Sequence, residues 1–200
     1  MSKWFQRILV LVLSFSIASC VHNRHLTNDI TQNNTPAFSI ADCDNYTVYL
    51  VRHLQKDLSV KSSDPDLSSV GHQNAQLLSK MPFIESVQAG FHSQFKRTKR
   101  TLTPSAKFGQ FPLTEYDARN GQALADLVAQ QYCGQTLIIS GHSNTIPDLV
   151  QKFGGKFDVS YAGMLLDKQP HISLSEQDYG SVFMVKNING RINQQVFTIK

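Results

Sequence analysis

Residues 47–56 read TVYLVRHLQK, a β-branched and aromatic run that passes into Arg52, His53 and Lys56 without a turn residue between. A short, continuous apolar run of this kind is expected of a strand covered on both faces within a parallel sheet. Residues 136–145 read TLIISGHSNT, a second such run, which ends in His142. In open α/β sheets ligands bind beyond the carboxyl ends of the strands. A single Arg-His pair closing a strand is more often a surface pair; two buried strands that both end in histidine form a constellation, and they constrain the chain to an α/β architecture with a site at one sheet edge.

The intervening segments alternate in the manner this requires. After a polar loop at 57–65, Ser68 is expected to cap a helix whose Val70, Asn74, Leu77, Leu78 and Met81 follow helical spacing. A short strand is expected within 84–91, with Ser93 and Gln94 at its end. A helix follows over 96–108, which Pro104 is expected to bend or divide. An extended segment at 111–115 precedes a helix at 120–132, with Leu124, Leu127 and Val128 on one face and Cys133-Gly134 at its end. A last helix runs from about Asn144 to Phe153 and stops at Gly154-Gly155. Residues 181–186 and 194–199 are strand-like and joined through Asn187-Ile188-Asn189-Gly190, an antiparallel hairpin. The predicted fold class is α/β: a three-layer α/β/α sandwich with a mostly parallel central sheet and an antiparallel C-terminal edge hairpin.

The N-terminus has a different character. Lys3 and Arg7 form a positive segment, residues 8–17 an apolar one, and Ala18-Ser19 a small-residue cleavage site. Ile17-Ala18-Ser19-Cys20 resembles the lipobox of bacterial lipoproteins, which implies acylation of Cys20 and a lipid anchor rather than a spanning helix. The alternatives are a plain signal peptide and an uncleaved anchor. Val21, where such lipoproteins carry Asp for inner-membrane retention, implies an outer-membrane address facing the periplasm. The expected organisation is a signal peptide at 1–19, a flexible polar tether at 20–44 and one folded domain at 45–200.

Loss of Lys3 and Arg7 takes the formal charge from +4 to +2, since no acidic residue precedes Cys20. That balance gives no basis for nucleic-acid binding. Cys43 and Cys133 remain in a chain destined for an oxidising compartment, and each precedes one of the two buried strands by a few residues. If those strands are parallel neighbours, the two cysteines lie at the sheet end opposite the histidines, so a structural disulfide is favoured over two free thiols.

Four segments in order carry a family resemblance. Arg52-His53-Leu54-Gln55-Lys56 resembles the Arg-His signature of the histidine phosphatase superfamily, the phosphoglycerate mutase-like fold, particularly small bacterial members with Arg-His-Ala-Glu-Lys. Asp64-Pro65-Asp66-Leu67-Ser68 with Gly71, the stretch from Ser93 through Arg97-Thr98 to Thr101, and Gly141-His142-Ser143 are similar to the family's later motifs.

The resemblance implies that His53 is the nucleophile of a phosphohistidine intermediate. Arg52, Arg97 and His142 complete the phosphate pocket, arginine forks matching phosphate oxygens better than a lysine point charge. Glu115 is the expected general acid, with Asp117 close enough to compete. Ser143 stands where the phytase-like branch has Asp, which excludes that branch. Leu54 departs from the family's Gly or Ala and is expected to narrow the pocket, and Gln55 replaces a glutamate. The resulting expectation is a metal-independent, cofactor-free phosphomonoesterase, monomeric, taking a small phosphorylated substrate and tied to the membrane by lipid. The alternative is a noncatalytic anion-binding lipoprotein; a mutase is disfavoured because phosphoglycerates are cytosolic.

Overall fold

The computed structural model describes residues 39–158, 160–161, 164–165 and 171–199. The expected signal segment, Cys20 and the tether as far as residue 38 lie outside the described residues. No helix among the described residues is long and apolar enough to cross a membrane.

The first buried run forms β1 (Asn45–Arg52). It is followed by α1 (Ser69–Leu78), a 3-10 turn at Pro82–Ser86, β2 (Ala89–Ser93), α2 (Lys96–Gly109) and β3 (Leu113–Tyr116). Then come α3 (Gly121–Gln131), β4 (Thr136–Gly141), α4 (Thr145–Lys152), the two-residue strands β5 (Ser160–Tyr161) and β6 (Met164–Leu165), and finally β7 (Ser181–Ile188) and β8 (Arg191–Thr198). The main sheet has the order β3-β2-β4-β1-β7-β8; β5 and β6 pair separately. β3, β2, β4 and β1 are mutually parallel, whereas β7 runs antiparallel to β1, and β8 to β7. The antiparallel edge hairpin is therefore β7-β8, turned by Asn189 and Gly190, both at positive φ (51° and 78°), the conformation that a two-residue hairpin loop demands.

Strand alternation divides the core. Val48, Leu50, Phe91, Leu137 and Ile139 face one side and pack with Leu124, Val128, Ile146 and Leu149 of α3 and α4. Tyr49, Val51 and Ile138 face the other side with Leu78 of α1 and Leu102 of α2. This is the three-layer α/β/α sandwich, its central strands apolar on both faces because helices cover both.

Two helices differ from expectation. In α1 the buried face is Gly71, Ala75 and Leu78, while Val70 is 53% exposed and Leu77 38%. The reason is close approach: a Cβ at Gly71 would collide with the Gln55 carbonyl oxygen, so the helix turns its small residues inward. α2 runs unbroken through Pro104, with Thr98, Thr101, Leu102 and Ser105 buried, because one lost backbone bond is offset by the packing of that face.

Folded structure also begins before the expected strand. Ser39 caps a 3-10 turn at Ile40–Asp42, and Cys43 is 1% exposed, with its carbonyl accepting from Asn187 Nδ2 at 3.1 Å. Cys43 is joined to Cys133 by a disulfide with the Cα atoms 5.6 Å apart. It precedes β1 and β4 at the sheet end opposite the histidines.

Candidate active site

Register decides the site. Arg52 of β1 lies opposite Gly141 of β4, so the next residue on each strand, His53 and His142, emerges side by side at the carboxyl edge. The His53 amide donates to the Gly141 carbonyl at 2.9 Å, carrying the pairing one residue past the strand. On the far side of β4, His92 of β2 pairs with Ser140, which brings Ser93 beside His142 and the first turn of α2, with Arg97, over the same edge. Arg52, His53, Arg97 and His142 line one cleft of about 480 Å³, together with Lys56, Phe95, Arg119 and Glu176.

Arg52 and His53 are 3% and 4% exposed. The Nδ1 of His53 lies 2.9 Å from the Leu54 carbonyl, an acceptor only, so Nδ1 carries the proton and Nε2 is left with a free lone pair. Burial drives the pKa of His53 down to about 3; the Leu54 bond opposes this, and Arg97, His142 and Arg52 add to the depression. His142 is lowered to about 4 by burial and then by Arg97 and Arg52. Both rings are neutral at physiological pH.

Arg97 Nη2 approaches His142 Nδ1 at 3.5 Å, and since a guanidinium only donates, Nδ1 is the acceptor there. The His142 proton is therefore on Nε2, which contacts Ser93 Oγ at 2.9 Å; Ser93 Oγ in turn contacts Thr98 Oγ1 at 3.0 Å. Donation from His142 to a phosphate oxygen requires the opposite tautomer, and the Ser93 hydroxyl, able to donate or accept, supports either one. Ser93 and Thr98 sit in the segment whose pattern pointed to Arg97, but the contacts from Thr98 through Ser93 to His142 were not evident from it.

Each arginine is only partly engaged. Arg97 Nη1 lies 3.6 Å from Asp64, whose carboxylate also accepts from the Lys96 amide at 3.0 Å and so caps α2. Arg52 Nη1 donates to the carbonyls of Ser175 (2.7 Å) and Asp178 (3.3 Å), and Nη2 to Glu176 at 3.0 Å. Its guanidinium also stacks on Tyr179, with Cζ 4.3 Å from the ring centre, as Arg97 does on Phe95. Among the described residues, the Nε of both arginines is buried without a partner. Two buried, charged N–H donors with nothing to bind are what an anion site requires. The segment 174–179 carried no motif, so its part in the site was not foreseen.

Glu115 and Asp117 do not line this cleft. They share an adjoining depression with Gln94, Tyr116 and Arg119, where Glu115 is exposed and Asp117 is clamped by Arg119 at 3.1 Å. Leu54 does not line it either. Its side chain is fully buried with Leu67 and Ala75, and its amide donates to Thr101 Oγ1 at 3.0 Å, so the expected narrowing of the pocket does not occur. Gln55 turns away as well, accepting from Asn74 Nδ2 at 3.0 Å. The N-terminus of α4 borders the cleft, but the Thr145 and Ile146 amides are spent on the His142 carbonyl at 3.2 and 3.0 Å, so side chains supply the anion donors.

A sheet whose parallel strands deliver two neutral histidines and two arginines to one carboxyl edge, with an antiparallel hairpin at its flank, has the phosphoglycerate mutase-like fold. Residues 48–119 match the family model of the histidine phosphatase superfamily (branch 1). Among solved structures, the fold is shared with a protein from Nakamurella multipartitia, provisionally named as the phosphohistidine phosphatase SixA (18% identity, TM-score 0.51, covering 78% of this chain and 96% of that one). It is shared with Bacillus stearothermophilus YhfR (15%, TM-score 0.55, 76% and 96%). It is shared also with a mycobacterial glucosyl-3-phosphoglycerate phosphatase in complex with VO3 (13%, TM-score 0.55, 77% and 99%). A comparison with curated protein sequences finds no match.

Proposed function

We propose that the protein hydrolyses small phosphomonoesters through a phosphohistidine intermediate on His53, acting as a monomer. The observation that carries this reading is the meeting of His53, His142, Arg52 and Arg97 in one cleft, with His53 Nδ1 held by the Leu54 carbonyl so that Nε2 carries the lone pair. Nε2 attacks phosphorus while the ester P–O bond breaks, and water then cleaves the P–N bond. Arg52 and Arg97 hold the phosphoryl oxygens and offset the charge that a metal ion would otherwise offset, so turnover is expected to survive EDTA. The noncatalytic alternative drew on Leu54, and with that side chain packed behind the cleft it has no structural observation in its favour.

The same reading places the enzyme in the cell envelope, lipid-anchored at Cys20 and facing the periplasm from the outer membrane. Support comes from the Ile17-Ala18-Ser19-Cys20 stretch and from the Cys43–Cys133 bond, which suits an oxidising compartment. The test is phosphate release from p-nitrophenyl phosphate by wild type and His53→Ala, with a substrate pulse to trap acid-labile label on His53. Equal rates in the two proteins overturn the mechanism. Failure of labelled palmitate to enter the wild-type chain overturns the anchoring.

A further inference from the structure

A leaving alkoxide needs a proton, and the carboxylates expected to provide it, Glu115 and Asp117, lie outside the cleft. Among the described residues, one carboxylate lines it, Glu176. We propose that Glu176 is the general acid of the first step and the general base of the second; this rests on the phosphatase reading above.

Position is the first argument. Glu176 Oε2 lies 3.0 Å from Arg52 Nη2, so the carboxylate is one guanidinium away from the oxygens that Arg52 would hold. His53 is buried at the floor, whereas the Glu176 side chain is 75% exposed at the mouth. Phosphoryl transfer is in line, so a nucleophile on the floor directs the leaving oxygen toward the mouth, where Glu176 stands.

The carboxylate is also held in place. Its segment is tied to both strand ends: Ser175 and Asp178 carbonyls accept from Arg52, the Leu174 amide donates to the Ser143 carbonyl at 2.9 Å, and Tyr179 supports the Arg52 guanidinium.

The steps balance. As the His53 Nε2–P bond forms and the P–O ester bond breaks, the Glu176 proton passes to the departing oxygen and the alcohol leaves. Water then attacks phosphorus, Glu176 takes its proton, the P–N bond breaks, and inorganic phosphate and neutral His53 are restored.

The test exploits leaving-group strength in the full chain. In single-turnover reactions, which read the phosphorylation step alone, Glu176→Gln is expected to slow alcohol release from an alkyl phosphate such as glycerol phosphate on the order of a hundredfold, while release of p-nitrophenol from p-nitrophenyl phosphate, whose leaving group needs no proton, changes by less than about threefold. Inorganic phosphate is expected to bind Glu176→Gln no more weakly than wild type, which shows an intact pocket. Glu176→Asp is expected to retain part of the alkyl phosphate activity. Equal losses on both substrates would mean that Glu176 only positions Arg52, and transfer of the selective loss to Glu115→Gln would reassign the acid; either outcome overturns the proposal. Wild type no faster than His53→Ala on both substrates removes the phosphatase reading itself, and this proposal with it.

Discussion

His53 and His142 meet edge to face with ring centroids 5.4 Å apart, each one residue beyond the end of a strand that pairs with the other's. Two imidazoles this close, one buried and the other partly so, beside two guanidiniums, are stable together only when both are neutral. That state leaves His53 able to attack a phosphoryl group and makes the free site sensitive to acid.

The acid sensitivity has a definite sign. Both histidines have folded-state pKa values, about 3 and about 4, below the unfolded value near 6.5, so the unfolded chain binds more protons as pH falls. Their contribution to stability is complete above about pH 6.5 and is lost progressively down to about pH 4, roughly 2 kcal/mol from each by pH 5. Urea midpoints measured between pH 7.5 and 4.5 are expected to fall, and to fall less for His53→Gln. Ring resonances that titrate near pH 6.5 in the folded protein would contradict the assignment.

Asp64 links the first loop to the second arginine by capping α2 and facing Arg97. Asp64→Ala is expected to cost about 1 kcal/mol of stability through the lost cap and to raise KM several-fold by loosening Arg97. Asp64→Asn retains a side-chain acceptor for the Lys96 amide and is expected to recover most of the stability. Thermal melts and steady-state kinetics on the two variants separate the effects, and an unchanged KM in Asp64→Ala would show that Arg97 does not depend on it.

Leu54 belongs to the core and not to the pocket. Leu54→Ala is expected to destabilise the domain by about 2–5 kcal/mol while leaving kcat/KM for p-nitrophenyl phosphate within about threefold at a temperature where the variant is folded. A large gain in activity would instead mean that the leucine obstructs substrate.

The disulfide closes a loop spanning 90 residues at the end of the sheet remote from the site. Cys43→Ser is expected to lower stability by about 2–5 kcal/mol and to shift mobility on a nonreducing gel, with little change in kcat. Identical mobility and two titratable thiols in wild type would argue against the bond in solution.

Much of the fold was legible because it depends on local periodicity. The runs at 48–51 and 137–139 announced strands covered on both faces, Ser68 and Asn120 announced helix starts and now accept from Gly71 and Ala123 amides, and Asn189-Gly190 announced the edge turn. The inward face of α1 was misread because Val70 and Leu77 outweigh Gly71 and Ala75 in hydrophobicity, while close approach to the Gln55 carbonyl rewards having no side chain.

The sequence by itself determined that two histidines end two buried strands, that Arg52 and Arg97 belong with them, and that the site lies at the carboxyl edge, since strand direction and motif order are properties of the chain. Tertiary structure decided the rest. Leu54 lies past the end of β1, where no pleat dictates its side, and Thr101 drew its backbone so that the side chain fills the core. Glu176 reaches Arg52 across 124 residues of sequence, and such a contact is specified by how β7 and the segment before it pack against β1, not by any local pattern. Glu115, adjacent to the site in motif order, is directed into a neighbouring depression because β3 sits at the sheet edge, two strands removed from the histidine pair.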